Sequence, residues 1–268
     1  MTTSHGTRSG DQVRVTLDDG ALRIEINRPD SLNSVTADVL EDMADIVEKG
    51  GSDPDVHVIV LSGAGRGFSS GADIGGAGEL SDEGGPAATL DGANRLVAAV
   101  RDVPRPVVSV VQGPCAGVGV SVALSADLVL ASSKAFFMLA FTKIGLMPDG
   151  GATALVAASA GRAKAMRMAL LAERLTAEEA AAAGLVSHVF DAETFESDVD
   201  EVIATLRTGP MVGYARTKHA INEATLGSLD AALALEREGQ LGLLAAADFA
   251  EGVIAFNEKR APRFGDIP

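Results

Sequence analysis

Tryptophan is absent, and tyrosine and cysteine occur once each in a chain of 268 residues. The single cysteine, Cys115, excludes an internal disulfide and suits a reducing compartment. Histidines are few. His5, His57, His188 and His219 fall on separate segments, so no zinc-type ligand cluster is expected. Basic residues are in deficit: 22 Lys and Arg face 37 Asp and Glu, a net charge of −15. Phosphate neutralisation needs clustered cations, so nucleic acid is not expected as a partner. The same deficit would repel a polyanionic ligand, which therefore needs a local basic patch. No apolar run approaches the roughly 20 residues that span a bilayer, so no membrane partner is expected. Residues 1–11 (MTTSHGTRSGD) lack the apolar core of a secretory signal. A cytoplasmic chain is expected, with residues 1–10 as a disordered tail.

What the chain does have is Ala, Gly and Val, with 47% hydrophobic residues in all. That composition suits an α/β protein of small, closely packed elements, as one large domain or two small ones. Val13, Val15 and Leu17 alternate with polar residues, Asp18-Asp19-Gly20 turns, and Leu22, Ile24 and Ile26 alternate again. This predicts a β-hairpin. Val39, Leu40, Met43, Ile46 and Val47 recur at helical spacing over residues 36–48, and a β-branched strand follows at 56–61. Residues 75–86 (GGAGELSDEGGP) read as a mobile loop, and 90–100 as an amphipathic helix. Strands at 107–111, 127–131, 135–138 and 186–190 alternate with helices at 120–125, 151–160, 162–171 and a short capped one after Thr176. Beyond residue 190 the pattern is nearly all helical and apolar enough to need a partner surface. Strand pairs followed by a helix thus recur without any fixed-period repeat.

Two glycine-rich turns stand out. Residues 61–74 (LSGAGRGFSSGADI) carry Gly63, Gly65, Gly67 and Gly71 directly after a strand. Residues 113–119 (GPCAGVG) stop a second strand and open a helix near Val118. Glycines let main chains approach closely, and N–H groups at a helix start carry the positive end of its dipole. Lying side by side, the turns could each give one N–H to a single carbonyl oxygen; ordinary surface turns and close packing are the plain alternative. Gly67-Phe68-Ser69-Ser70-Gly71 matches the G-x-S-x-G elbow of hydrolases, yet the strand ends near Leu61, too early for that motif. Ser69 is not expected to be a nucleophile. A Walker loop and a full dinucleotide fingerprint are also missing.

Three segments carry a resemblance: 68–74 (FSSGADI), 112–119 (QGPCAGVG) and 145–151 (GLMPDGG), in this order. On them, with Arg28-Pro29 through Asn33 and Glu251 through Arg260, the chain is identified as a member of the crotonase (enoyl-CoA hydratase/isomerase) superfamily over residues 13–263. Residues 143–149 most resemble the ring-isomerising enoyl-CoA isomerases of phenylacetate degradation. The resemblance implies a spiral of ββα turns over residues 11–195 and a C-terminal helical trimerisation region over 196–268. It implies a homotrimer or dimer of trimers, and an acyl-CoA substrate whose thioester oxygen sits in an oxyanion hole made by Ala72 and Val118 N–H. Coenzyme A arrives as part of the substrate, with no permanently bound cofactor and no metal. Its contacts fall on Ser31, Leu32 and Asn33, on Ser70, Ala72, Asp73, Ile74 and Gly75, and on Phe256 and Lys259 of a neighbouring subunit. Lys259, Arg260 and Arg263 would then supply the basic patch, unless they are a solvated tail.

Departures from the family pattern decide the expected chemistry. Hydratases of the family carry two glutamates that activate water; the matching positions here hold Ser121 and Phe141. Asp149 falls where several isomerases keep their single carboxylate. One base suffices to take a proton from one carbon and return it to another. An enoyl-CoA isomerase moving a double bond from the 3 to the 2 position is therefore expected, with Asp149 as the proton shuttle. The alternatives are an enoyl-CoA hydratase of fatty-acid or aromatic-acid degradation and a non-catalytic CoA-binding protein. Asp149 also precedes a helix start, where an N-cap is the plain role; a cap would lower its pKa, and apolar neighbours would raise it.

Overall fold

The alternation over residues 13–26 folds as the expected hairpin. In the computed structural model, which describes residues 8–74 and 86–266, β1 (Val13–Asp18) and β2 (Ala21–Ile26) pair antiparallel around Asp19 and Gly20. The chain continues through α1 (Ala37–Ser52), β3 (Val58–Gly63), α2 (Pro86–Asp102), β4 (Val107–Val111), β5 (Pro114–Ala116) and α3 (Val118–Ser125). Then come β6 (Leu128–Ser132), β7 (Phe136–Met138), α4 (Ala152–Leu171), β8 (Arg174–Thr176), α5 (Ala177–Ala182) and β9 (His188–Phe190). Four helices close it: α6 (Phe195–Arg207), α7 (Met211–Thr225), α8 (Leu229–Leu244) and α9 (Ala247–Asn257).

Nine strands form two sheets among the described residues, and from β4 to β7 successive strands alternate between them. One has the order β1-β2-β3-β4-β6-β9 and is parallel from β2 onward; the other has the order β5-β7-β8. Single-residue bridges from Val35 to Ala72 and from Ser69 to Cys115 continue the smaller sheet through the first glycine-rich turn. Units such as β4-β5-α3 and β6-β7-α4 each lay one strand in each sheet and then a helix. The result is the expected spiral of ββα turns.

Both faces of the larger sheet are buried, which is why β3 reads as an unbroken apolar run. Ile59 and Leu61 face the main core with Leu40, Met43 and Val47 of α1, while Val58 and Val60 face Phe195, Val199 and Ile203 of α6. Successive side chains on a strand point to opposite sides, so one short run supplies both cores. Helix α6, placed in the C-terminal region by a division at residue 195, is thereby a cover of the sheet. The N-terminus of α1 is capped by Thr36 Oγ1, which accepts from Val39 N–H.

Residues 8–10, assigned to the tail, are held: Asp42 accepts from the N–H of Arg8 at 2.9 Å and of Ser9 at 2.7 Å. The expected loop at 75–86 lies outside the described residues except for Pro86, where α2 begins. The two helices expected on either side of residue 161 are both present: α4 is interrupted at Gly161, whose φ of 76° and ψ of 162° are not helical. Among the described residues no single helix is long and apolar enough to cross a membrane; the apolar stretch over α8 and α9 is bent by 74°.

Candidate active site

The first glycine-rich turn is held by side chains that fill it from within. Asn33 Nδ2 donates to the carbonyls of Ala64 and Gly67, and Gln112 Nε2 donates to those of Gly63 and Gly67. Ser69 is fully committed: its Oγ donates to Asn33 O at 2.8 Å and accepts from Gly71 N–H at 3.2 Å. Buried and tied on both sides, it is a brace of the turn and no nucleophile. Val35 N–H donates to Gly71 O, and Asp73 N–H donates to Val35 O. This parallel bridge turns the N–H of the residue between them, Ala72, away from Val35. Among the described residues Ala72 N–H has no hydrogen-bond partner.

The second turn lies directly against the first. Ala116 N–H donates to Ser69 O at 2.9 Å, and Ser69 N–H donates to Pro114 O. At the closest point two glycines face each other. A Cβ on Gly71 would sit 3.4 Å from Gly117 Cα and 3.1 Å from Ala116 O, and both residues have positive φ (100° and 54°). Any side chain there would push the two main chains apart, and the backbone conformation itself favours glycine. The residue after Gly71 is Ala72; the residue after Gly117 is Val118, the first of α3. Val118 N–H, an orphan donor at the positive end of α3, likewise has no partner among the described residues. Two uncommitted N–H groups thus follow two glycines in mutual contact.

A third segment completes the cluster. A Cβ on Gly150 would lie 3.1 Å from Val118 Cγ2 and 3.0 Å from Ser121 Cβ, so the turn bearing Asp149 packs on the start of α3. Ser121 Oγ donates to Asp149 O at 2.6 Å. Asp149 is not the helix cap. The N-cap of α4 is Gly151, and its orphan donors are satisfied by Glu236 of α8. That carboxylate accepts from Gly151 N–H at 2.6 Å, Thr153 N–H at 2.8 Å and Thr153 Oγ1 at 2.5 Å.

Freed from capping, the Asp149 carboxylate takes one bond from Gln240, whose Nε2 donates to Oδ2 at 2.7 Å. Its Oδ1 is shielded from solvent and has no partner among the described residues. Burial pushes the Asp149 carboxyl up from its ordinary 3.8 to about 7; the Gln240 bond opposes this and the Glu236 charge adds to it. Burial also raises Glu236. The competing influences at Asp149 therefore resolve upward, because the cap that would have lowered its pKa is made by another residue.

Other expected site residues fall into two groups. Ser70 N–H donates to Leu32 O and Ser70 Oγ to Ser31 O, while Arg28 pairs with Asp73 at 2.6 Å. These bonds bring 31–33 and 70–74 together on one edge of the first turn. Within that edge Asn33 is buried, with its side chain and main chain all engaged internally, so it shapes the edge. Gly75 lies outside the described residues. Phe256 and Lys259 sit at the end of α9, which packs on α8 and on the short 3-10 turn Phe141–Ile144 of its own chain. Phe256 is 60% exposed. The proposed basic patch is smaller than expected: Arg260 is ion-paired to Glu251 and Glu258.

Gln240 and Glu236 were not expected from the sequence. A signal for them exists: Leu229, Leu233, Glu236 and Gln240 are the buried residues of α8 and lie on one face, so two polar residues interrupt an apolar stripe. The cluster thus joins two N–H groups without partners among the described residues to one buried carboxylate whose pKa is raised by burial.

Comparison with known proteins gives one consistent picture. A family model described as Enoyl-CoA hydratase/isomerase matches residues 16–267. The 1,2-epoxyphenylacetyl-CoA isomerase of Escherichia coli K12 is 38% identical over 250 residues, covering 91% of this chain and 95% of that protein. The "Probable enoyl-CoA hydratase" of Rhodobacter capsulatus is 38% identical, covering 94% and 97%. The crystal structure of an enoyl-CoA hydratase from Mycobacterium avium subsp. paratuberculosis K-10 superposes with a TM-score of 0.89 at 56% identity, covering 95% and 99%.

Proposed function

Because the chain belongs to the enoyl-CoA hydratase/isomerase family, we propose that it is an enoyl-CoA isomerase that moves a double bond from the 3 to the 2 position. In this reading Asp149 takes a proton from C2 of a 3-enoyl-CoA. The electron pair passes into the thioester as a dienolate, whose oxygen accepts from Ala72 and Val118 N–H. Asp149 then returns the proton to C4. An oxyanion donor of this kind is typically worth about 3 kcal/mol of barrier.

The observation that carries the proposal is the Asp149 carboxylate oxygen that lacks a partner among the described residues, on a turn packed against the start of α3. Hydration by two carboxylates needs a second one free to hold water. Ser121 and Phe141 supply none, and Glu236 spends its oxygens on the start of α4. A carboxyl lifted to about 7 is half ionised at neutrality and basic enough to accept a proton from carbon. Coenzyme A enters as part of the substrate along 31–33 and 70–75, and Phe256 and Lys259 serve a neighbouring subunit of a homotrimer or dimer of trimers. The exposure of Phe256 and the absence of any buried residue on α7 support such an assembly. A cytoplasmic setting fits the lone thiol of Cys115.

The test offers purified protein a 3-enoyl-CoA and a 2-enoyl-CoA, before and after Asp149→Asn. Isomerisation lost in the variant is the expected result. Robust hydration of the 2-enoyl-CoA by the unaltered enzyme would instead mark a hydratase, and CoA binding with neither activity would mark a binding protein.

A further inference from the structure

We infer that Gln240 and Glu236 of α8 are the positioning residues of Asp149, reserving Oδ2 as a hydrogen-bond acceptor so that Oδ1 alone carries the shuttled proton. The inference rests on the reading of Asp149 as the base and assigns roles to two residues outside the segments that carry the resemblance.

The orientation of the Gln240 amide is dictated by its other partner. Met147 N–H can only donate, and it donates to Gln240 Oε1 at 3.2 Å. The amide nitrogen must then face Asp149, which it does at 2.7 Å from Oδ2. Rotating the amide would set two donors together at Met147 and an oxygen against a carboxylate at Asp149. With an N–H pointing at it, Oδ2 has to accept in both protonation states. A proton on Asp149 therefore resides on Oδ1, the oxygen that is shielded and lacks a partner among the described residues. The two oxygens differ in role before any substrate arrives.

Glu236 acts on the same turn from one helical turn away on α8. Its bonds to Gly151 and Thr153 fix the backbone two residues after Asp149. Its charge also faces Asp149; the other described neighbours, Ser121 of α3, Gly150 and Gln240, are neutral. The two residues thus act in opposite senses on ionisation. Gln240 stabilises the carboxylate, and Glu236 disfavours it.

That opposition supplies the test. The pH dependence of kcat/KM with a 3-enoyl-CoA is measured for the unaltered enzyme, Gln240→Met, Gln240→Glu, Glu236→Gln and Asp149→Asn, each confirmed folded by a cooperative thermal transition. Losing a hydrogen bond to a charged group moves the acid limb of Gln240→Met upward by about one pH unit or more. Its rate then falls about tenfold at pH 6 and changes little at pH 9. Gln240→Glu keeps an acceptor for Met147 N–H, sets a carboxylate against Oδ2, and moves the limb further up. Glu236→Gln moves it down by about half a pH unit, since a like charge is removed. A merely structural role would lower the rate equally at every pH. An unmoved limb in both Gln240 variants, with Asp149→Asn inactive, overturns the inference and leaves the base assignment standing. An active Asp149→Asn overturns the base assignment and this inference with it.

Discussion

Asp149→Asn should stabilise the protein, increasingly so as pH rises. The carboxyl ordinarily titrates at 3.8 and in the fold at about 7. Between those values the folded chain holds a proton that the unfolded chain has released, so folding stability falls as pH climbs through the window and levels off above it. Carrying the carboxyl from 3.8 to about 7 corresponds to about 4 kcal/mol of instability at full ionisation. Part of that has accrued by pH 5, leaving about 3 kcal/mol to appear between pH 5 and pH 9. Asparagine has nearly the same shape, can accept from Gln240 through its oxygen, and never ionises. The stabilisation of the variant, from urea unfolding at both pH values, should therefore grow by about 3 kcal/mol between them. A pH-independent difference, or a variant less stable than its parent at pH 9, would refute the burial of Asp149 as the source of its raised pKa.

Other outcomes follow from the same geometry. In the proposed mechanism Val118→Pro removes one of the two donors to the thioester oxygen, at the first position of α3 where proline suits a helix, and kcat should fall about 100-fold or more in a steady-state assay. Ser69→Ala should leave kcat within a few fold yet lower stability in urea by about 1–3 kcal/mol, because Asn33 O and Gly71 N–H lose their shared buried partner. Lys218, half-buried and paired with Asp127 at 3.0 Å, also donates to Val100 O. Lys218→Met leaves the Val100 and Arg105 carbonyls without their donor and the solvent-reaching Asp127 without its cation, and should cost about 1–3 kcal/mol, measured by the same unfolding experiment.

Local chemistry made much of this fold legible. Alternation gave the β1-β2 hairpin, helical spacing gave α1, and glycines after strands marked both turns that meet at Gly71 and Gly117. Each of these signals is written within a dozen residues. What was hidden depends on partners far along the chain. The cap on α4 comes from Glu236, 85 residues beyond Gly151, and the bond that orients Asp149 comes from Gln240, 91 residues on. Asp149 before two glycines therefore looks like a cap locally, while the cap is made from another helix. The partner of α6 was hidden for a related reason: the stripe Phe195, Val199 and Ile203 reads as generic amphipathic helix, and only the second face of β3 identifies what it covers.

The choice of an amide to hold Asp149 has a physical logic. A Lys or Arg at position 240 would fix the carboxylate equally well, but an adjacent cation lowers a carboxyl pKa by about 1–3 units. Such a carboxylate would be fully charged at neutrality and too weak a base for a carbon acid. An apolar residue would leave the pKa high, yet nothing would distinguish the two oxygens or stop the group from rotating. Glutamine supplies direction without charge. It is itself directed, because Met147 N–H occupies its oxygen. Glu236 completes the arrangement by satisfying the helix start that Asp149 would otherwise have had to cap. A carboxylate that capped α4 would sit against backbone donors and the helix dipole, both of which favour its charged form. Moving that duty to α8 lets burial dominate at Asp149 and raises its pKa, as the proposed proton shuttle requires.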